Sequence, residues 1–421
     1  MTMEYVKGIR CPICGYIGTE QELFGGCPKC RERGINVNFS TYYEYPDKDA
    51  LRERFPTEQG PGIWRHRAFL PVDSEQKPVS VAEGNTPLIH AERLGKELGL
   101  ENLYLKLELQ NTSWSHKDRL SSVGATRARQ IGATALTVSS SGNHGAAVAA
   151  YAAAAGLPCF VFTTPSVPET MKTLMRSYGA YVFATESALD RWVIMRWGVE
   201  HLGWYPLSGY VWPPIGSNAY AVDGYNTLAF ELFEPLGDLP ETIVTPSGYS
   251  DLMYGMWKGI LDLNEVGLTS RKSRIFASEI WGSLTKAMEE NAPVPGEVPD
   301  GPSVSFSIAV PCNTWQGLEP IRASGGEAVM SPDEDTMAMQ LLLAKCEGVY
   351  AESSSVTSLV ACKKLVEQGK LRPDEKVVAI VTSTGLKDPE TTARYLAEVP
   401  VIEPNYQSLS AALEKCYGKK V

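Results

Sequence analysis

From about residue 81 onward, short runs of β-branched and apolar residues alternate with longer helical patterns. LYLKLEL (103–109) predicts a strand, 119–131 a helix and ATALTVSS (133–140) a strand. A helix over 144–155, a strand CFVFTT (159–164), a helix over 168–178 and a strand AYVFAT (180–185) follow. The rhythm returns with TIVTP (242–246), IFASE (275–279) and KVVAIVTS (376–383). Such alternation predicts an α/β protein with parallel sheets covered by helices. Residues 40–80 are rich in Pro and Tyr and predict an extended connection, and the Pro-rich stretch 290–315 predicts a surface excursion. The most apolar stretch, AAVAAYAAAAGLPCFVF (146–162), is broken by Gly156 and Pro158, so it predicts a buried helix followed by a strand. No window reaches 18 apolar residues, so no membrane span is expected. The first residues carry no apolar run of the signal-peptide kind, which predicts a cytoplasmic location.

Composition narrows the class. The 421 residues exceed one ordinary core, and the hydrophobic (43%) and charged (21%) shares are those of a water-soluble globular chain. The net charge of −10 disfavours nonspecific binding to nucleic acid or to an anionic membrane, both polyanions.

Nine cysteines are present, and four cluster as CPIC and CPKC: Cys11, Cys14, Cys27 and Cys30. Two CxxC turns twelve residues apart bring four thiolates onto one metal, the zinc-ribbon pattern, although four thiolates also suit iron. The ribbon is expected to be a structural staple. A nucleic-acid finger needs clustered cations, and only Lys7, Arg10, Lys29, Arg31 and Arg33 are near. Cys159, Cys312, Cys346, Cys362 and Cys416 show no pairing pattern and are read as thiols.

Four motifs carry chemistry. In NTSWSHKDR (111–119), Lys117 stands at an apparent helix start, where an ammonium is disfavoured and its proton is more easily lost. In SSSGNHG (139–145), small residues at a helix start offer the N–H groups of Ser140, Ser141, Gly142 and His144 to a carboxylate, and Asn143 offers an amide to a ring hydroxyl. In TPSGYSDLMYG (245–255), Ser247, Gly248 and Ser250 are small enough for consecutive N–H groups to surround a phosphate. In TSTGLKD (382–388), Thr382 stands at a strand end and offers a hydroxyl to a heteroaromatic nitrogen. Each motif alone is an ordinary turn. Together they supply every contact that pyridoxal 5'-phosphate (PLP) needs.

At these motifs the chain resembles the threonine-synthase branch of the fold-type II PLP enzymes. EGNTPL (83–88) is similar to that branch's EGxTPL, NTSWSHKDR to NPTGSFKDR, SSSGNHG to the SSGNH loop and TSTGLKDP to TGHGLKDP. GIWRHRAFLP (62–71), GYNTLAFEL (224–232) and ESSS (352–355) extend the likeness over most of the chain. The resemblance implies two open twisted parallel-sheet domains with the cofactor in the cleft between them, plus a small N-terminal zinc ribbon. The expected boundaries are 1–40 for the ribbon, 41–115 with 225–421 for the large PLP-binding domain, and 116–224 for the small domain. It implies Lys117 as the Schiff-base lysine and catalytic base, and Asn143 at the 3-hydroxyl. Ser247, Gly248, Tyr249, Ser250 and Asp251 are implied at the phosphate, and Thr382 at the pyridine nitrogen. It implies a structural Zn²⁺ and a homodimer.

The sequence departs from that pattern at substrate-facing positions. Thr112 replaces Pro, Trp114 replaces Gly, His116 replaces Phe and His144 replaces Thr. Tyr249 and Asp251 stand in a loop that is ordinarily rich in Gly and Asn. Trp114 is read as a wall narrowing the pocket. His116 is read either as a substrate contact or as a ring packed near the cofactor, and Asp118 and Arg119 as structural salt partners. The expected substrate is a small amino acid, and three enzymatic readings stand open. One is threonine synthase proper, acting on O-phosphohomoserine. Another is a β-replacement synthase such as cysteate synthase, acting on O-phosphoserine. The third is an ammonia-lyase acting on threonine or serine. A decayed binding relative is the non-catalytic alternative, which retention of Lys117 disfavours.

Overall fold

The computed structural model describes residues 5–55, 60–140 and 142–420. The chain divides into two compact units, residues 1–387 and 388–421.

The first unit holds three sheets. The strands β1 (Val6–Arg10), β2 (Ile17–Gly18) and β3 (Ser40–Tyr43) form an antiparallel sheet in the order β2-β1-β3. In sequence order there follow β4 (Leu88–His90), β5 (Asn102–Leu107), β6 (Ala135–Ser139), β7 (Cys159–Thr163), β8 (Tyr181–Ala184), β9 (Trp204–Pro206) and β10 (Thr242–Pro246). The last are β11 (Arg274–Glu279), β12 (Ala328–Met330) and β13 (Lys376–Val381). A six-stranded sheet runs β12-β11-β10-β13-β5-β4, parallel except for β4, and a four-stranded parallel sheet runs β8-β7-β6-β9. Strands buried on both faces need near-continuous apolar runs, and TIVTP and KVVAIV supply them. The fold is the expected α/β arrangement, with β4 as one antiparallel edge.

The helix Asn143–Ala155 is buried on most of its circumference, which its alanines permit. It packs on the helix Lys117–Gln130, and Gly156, at φ +69°, ends it in the left-handed conformation that costs other residues strain.

Two expectations need correction. Residues 40–80 contain β3, the helix Lys48–Arg54 and a 3₁₀ segment Gly62–Phe69 with Ile63, Trp64 and Phe69 buried. The aromatic residues that suggested a loop are its packing groups: Tyr43 stacks on Tyr45, and Phe69 lies 4.8 Å from Phe230. Residues 290–315 are not a surface excursion throughout, since Ser305, Cys312, Asn313 and Thr314 are buried. Side chains replace regular structure there: Ser353 Oγ donates to Val304 O (2.6 Å) and Asn313 N to Ser283 Oγ (3.0 Å). The helices Asp190–Leu202, Asp333–Glu347 and Ser353–Glu367 and the three-residue strands β4, β9 and β12 were not anticipated.

A buried ionic cluster ties the six-stranded sheet to the helix that starts at Lys117. Arg119, fully buried, donates to both carboxylate oxygens of Glu108 (2.8 and 2.7 Å) and to both of Glu231 (2.7 Å each). Lys106 Nζ donates to Glu231 Oε2 (2.7 Å) and to Thr86 O (2.6 Å). Two cations meet two carboxylates, so no charge is left over. Burial would push the Glu231 carboxyl up, but Arg119 and Lys106 outweigh it and hold it well below the usual range. Arg119 is thus the structural salt partner expected.

The second unit carries two helices, Pro389–Ala393 and Tyr406–Tyr417, capped by the side chains of Asp388 and Asn405. Among the described residues no helix is long and apolar enough to cross a membrane.

Removing one partner of a buried pair strands the other charges. Arg119→Met is expected to lower the unfolding free energy by about 3–5 kcal/mol in urea denaturation. A loss under ~1 kcal/mol, the scale of solvated surface pairs, would contradict the dry cluster.

Candidate active site

The four motifs converge on one cavity of about 500 Å³. Its lining includes His116, Lys117, Ser140, Gly142, Asn143, His144, Gly248, Tyr249, Ser250, Asp251 and Thr382. The segments after β6, β10 and β13 all reach it, in keeping with ligand placement at the C-terminal ends of parallel strands. Ser247 does not line it. That side chain is fully buried, 2.5 Å from Ser250 Oγ, and accepts from Asn313 Nδ2 (3.2 Å), so it braces the loop from behind. Ser141 lies outside the described residues.

Lys117 is the first residue of its helix, and its amine lies 5.8 Å from the centre of the Tyr225 ring. Burial pushes the amine down from its ordinary pKa, and the opposing charge of Asp251 offsets this only in part. The amine is therefore biased toward its neutral, nucleophilic form.

Two histidines flank it, and burial together with the Lys117 charge holds both well below the usual range, hence neutral. The His116 ring packs 5.7 Å from Tyr225, with Nδ1 3.4 Å from Thr382 O. The residue thus packs on Tyr225 and also lines the cavity. His144 Nε2 is buried and has no partner among the described residues. A buried orphan nitrogen at a cavity wall fits a polar ligand atom.

Asn143 is held on both ends of its amide. Oδ1 accepts from Lys387 Nζ (2.7 Å) and Ser383 Oγ (2.9 Å), and Nδ2 donates to Glu352 Oε2 (2.7 Å). Thr382 Oγ1 lies 2.8 Å from Ser355 Oγ.

The loop 247–251 turns through Ser250 at φ +65° and opens the helix Asp251–Glu265, whose first turn lines the cavity. A side chain at Gly248 would lie 3.4 Å from the Ile308 backbone, so a bare backbone faces the cavity there. The Asp251 carboxylate is engaged by Ser217 N (2.8 Å) and Ser217 Oγ (2.6 Å). A carboxylate beside a phosphate is repulsive, so only backbone N–H groups at this position suit an anion. Burial pushes the Tyr249 phenol up to about 12, and Arg191, also in the lining, works against that shift.

Trp114 is not a wall of this cavity. Its side chain is 46% exposed and its backbone sits at φ +61°, the conformation a glycine would take without strain. Sequence reasoning missed Arg191, Trp192, Trp212, Trp281 and the segment 306–311, all in the lining. No motif marked them. Glu352 and Lys387 stood inside quoted motifs, ESSS and TSTGLKD, and received no role.

At the N-terminus, one sulfur from each of Cys11, Cys14, Cys27 and Cys30 lies within 4.8 Å of the others. The Cys11–Cys30 and Cys14–Cys27 sulfurs are 3.6 and 3.5 Å apart. A tetrahedral site with metal–sulfur bonds of about 2.3 Å needs sulfurs roughly 3.8 Å apart, so the cluster fits one ion.

A neutral-biased lysine, an orphan histidine nitrogen, a glycine-bearing loop at a helix start and a strand-end hydroxyl together fit PLP. The family model for pyridoxal-phosphate dependent enzymes matches residues 79–383. The chain belongs to this family. Among relatives of the PLP enzyme, the threonine synthase of Methanosarcina acetivorans is 31% identical over 98% of this chain and 99% of its own length. That of Methanocaldococcus jannaschii is 32% identical over 96% and 99%. In fold, the maize serine racemase structure matches with a TM-score of 0.62 at 20% identity, covering 74% of this chain and 91% of the racemase. A fungal L-serine ammonia-lyase from Rhizomucor miehei matches with a TM-score of 0.63 at 22% identity, over 76% and 98%. The protein is a PLP-dependent lyase on the fold-type II scaffold.

In the PLP-free protein, the sign of the Lys117 shift is testable. A lowered pKa means the amine loses its proton at lower pH, so reaction of Lys117 with an acylating reagent is expected to reach half its maximal rate below the ordinary 10.5. Peptide mass spectrometry reads this; a midpoint at 10.5 or above contradicts the buried setting.

Proposed function

We propose that this enzyme catalyses elimination and replacement at the β or γ carbon of an amino acid, with phosphate as leaving group, on O-phosphohomoserine or a related phospho-amino acid. What supports the reading is one arrangement: the buried amine of Lys117 lies in a cavity also lined by two helix starts, at Asn143 and at Asp251. Helix starts attract anions, so one suits the substrate carboxylate and the other the cofactor phosphate. PLP, when bound, supplies the electron sink that stabilises negative charge at the α-carbon.

The chain's own residues do the rest. Lys117 holds the cofactor and, once free and neutral, takes the proton at the α-carbon and returns it later. The backbone N–H groups at the helix start, those of Asn143 and His144, orient the carboxylate; contrary to expectation, that of Ser140 is already given to Phe162 O (2.9 Å) and that of Gly142 to Ser140 Oγ (3.2 Å). Those of Gly248 to Asp251 hold the cofactor phosphate, with Ser247 bracing them. Asn143 donates to the ring hydroxyl. Thr382 would offer a neutral hydroxyl to the pyridine nitrogen, and such a partner would leave that nitrogen uncharged, a state that favours elimination over transamination. His144 donates to or accepts from the substrate through its free nitrogen. His116 packs beside the lysine and shields it from water.

A second reading, an ammonia-lyase acting on a hydroxy amino acid, is favoured by His144, since a neutral histidine suits a hydroxyl better than a phosphate dianion. We also propose that the cysteine cluster holds a structural Zn²⁺. The ribbon's apolar residues pack on Ala219 and Tyr220, which makes it a staple on the body. Assembly as a homodimer belongs to the same proposal.

Borohydride reduction of the PLP-loaded enzyme is expected to fix the cofactor on the peptide containing Lys117, and Lys117→Ala to abolish both this adduct and turnover. Fixation elsewhere refutes the assignment. Phosphate release from O-phosphohomoserine without ammonia release from threonine or serine supports the first reading; the converse selects the second.

Metal analysis is expected to find about one zinc per chain, falling on Cys11→Ser, with a lower melting temperature. A metal-free protein of unchanged stability contradicts the staple.

A further inference from the structure

Lys387 is the second buried lysine beside this site. Its side chain is 2% exposed and does not line the cavity. Its ammonium donates to Asn143 Oδ1 at 2.7 Å. Glu352 and Asp118 are the carboxylates whose fields favour its charged form, against a burial that pushes it down to about 8. Glu352 is itself fixed: its backbone N–H donates to Ser383 O (2.9 Å), and Ser307 donates to its Oε1.

The hydrogen-bond inventory of Asn143 defines what such a lysine does. A side-chain amide has two acceptor sites on oxygen and two N–H donors on nitrogen. Lys387 and Ser383 fill both acceptor sites, and Glu352 takes one donor. One N–H remains, on a residue that lines the cavity. Turning the amide over would set N–H groups against the ammonium and the oxygen against the Glu352 carboxylate, two repulsive contacts in a buried place. The amide therefore has a single orientation. An ammonium on its oxygen also polarises it, which strengthens the remaining N–H as a donor.

We propose that Lys387 is a positioning residue: through Asn143 it aims and strengthens the one hydrogen bond that reaches the ring oxygen of the cofactor, and so favours the anionic form of that oxygen. The inference rests on the reading of Asn143 as the ring-hydroxyl partner. A plain structural role, neutralising Glu352, would make Lys387 matter equally for any ligand of the cavity. The positioning role makes it matter only for a ligand carrying that oxygen.

The experiment is tryptophan-fluorescence titration of the cofactor-free protein with PLP and with its 3-deoxy analogue, for wild type, Asn143→Ala, Lys387→Met and Lys387→Gln. Wild type is expected to prefer PLP roughly 10-fold, the scale of a hydrogen bond to a charged partner. Lys387→Met is expected to weaken PLP by about the same factor and to leave the analogue unchanged. Lys387→Gln keeps a donor without the charge, and its preference is expected to fall about threefold. The visible absorption of bound PLP is expected to change in Lys387→Met, because the ring oxygen's ionisation sets that band. Equal weakening of both ligands, or of neither, overturns the proposal. If Asn143→Ala keeps the preference, the ring-hydroxyl reading fails and the inference falls with it. If Asn143→Ala erases the preference and Lys387→Met does not, the inference alone fails. Should Lys387→Met not fold, Lys387→Gln decides: an unchanged preference overturns the proposal, and a reduced one upholds it.

Discussion

A buried, fully paired set of charges lies two residues from the Lys117 amine, and the placement of that amine depends on it. Residues two apart on a helix point to nearly opposite sides. Arg119 can therefore reach inward to Glu108 and Glu231 while Lys117 faces the cavity. Rotating or sliding the helix start would pull a guanidinium away from four carboxylate oxygens with no water to replace them. Each such bond is charge-assisted, so the helix start has one low-energy position. Glu108 follows β5 directly, and Glu231 belongs to the helix Asn226–Leu236. The cluster thus references the amine to the central sheet, not to the loop that carries it.

Electrostatics at the amine follow from what surrounds it. Burial favours the neutral lysine, and Asp251 is the carboxylate that resists this. Ser217 holds Asp251 with two donors, which spreads its charge and weakens the pull on the lysine. Both histidines stay uncharged in the same surroundings, so neither adds a positive charge beside Lys117. A second cation, Lys387, is kept one amide away from the cavity, behind Asn143. One amine faces the cavity, and the other touches it only through an intervening amide.

Much of this was legible in the sequence, and the reasons are specific. Strands such as KVVAIV are buried on both faces and announce themselves as continuous apolar runs. The chemical motifs were legible only in combination: each alone is an ordinary turn, and the four together match the contacts of one cofactor. Side chains that meet across the fold were not. Glu352 and Lys387 find Asn143 at sequence separations of 209 and 244, which no local pattern encodes. Residues 306–311 were misread because proline and serine suggest exposure, whereas here Ile308 N donates to Ser305 O (3.1 Å), Pro311 O accepts from Val298 N (2.9 Å) and the segment lines a cavity. Ser247 looked like a phosphate ligand because it is small and sits in the right loop. Its hydroxyl instead closes a bond to Ser250 that stabilises the loop's left-handed residue.

Trp114 shows how a broken motif keeps its backbone conformation. The position calls for a backbone conformation, and glycine is only the easiest residue to supply it. A left-handed tryptophan costs about 1 kcal/mol, which its surroundings must offset. They do so through its carbonyl, which accepts from Ser383 Oγ (3.1 Å) and Thr384 N (3.4 Å). Next to it Ser115 bridges Ser383, and His116 N donates to Thr382 O (3.0 Å). These contacts zip the lysine segment to the strand-end segment that carries Thr382. Two backbone hydrogen bonds, the pair that makes the Ser115–Ser383 bridge, hold the lysine loop from one side while Arg119 holds it from the other. With the backbone fixed at both ends, the side chain at 114 is free to vary and turns outward, away from the chemistry.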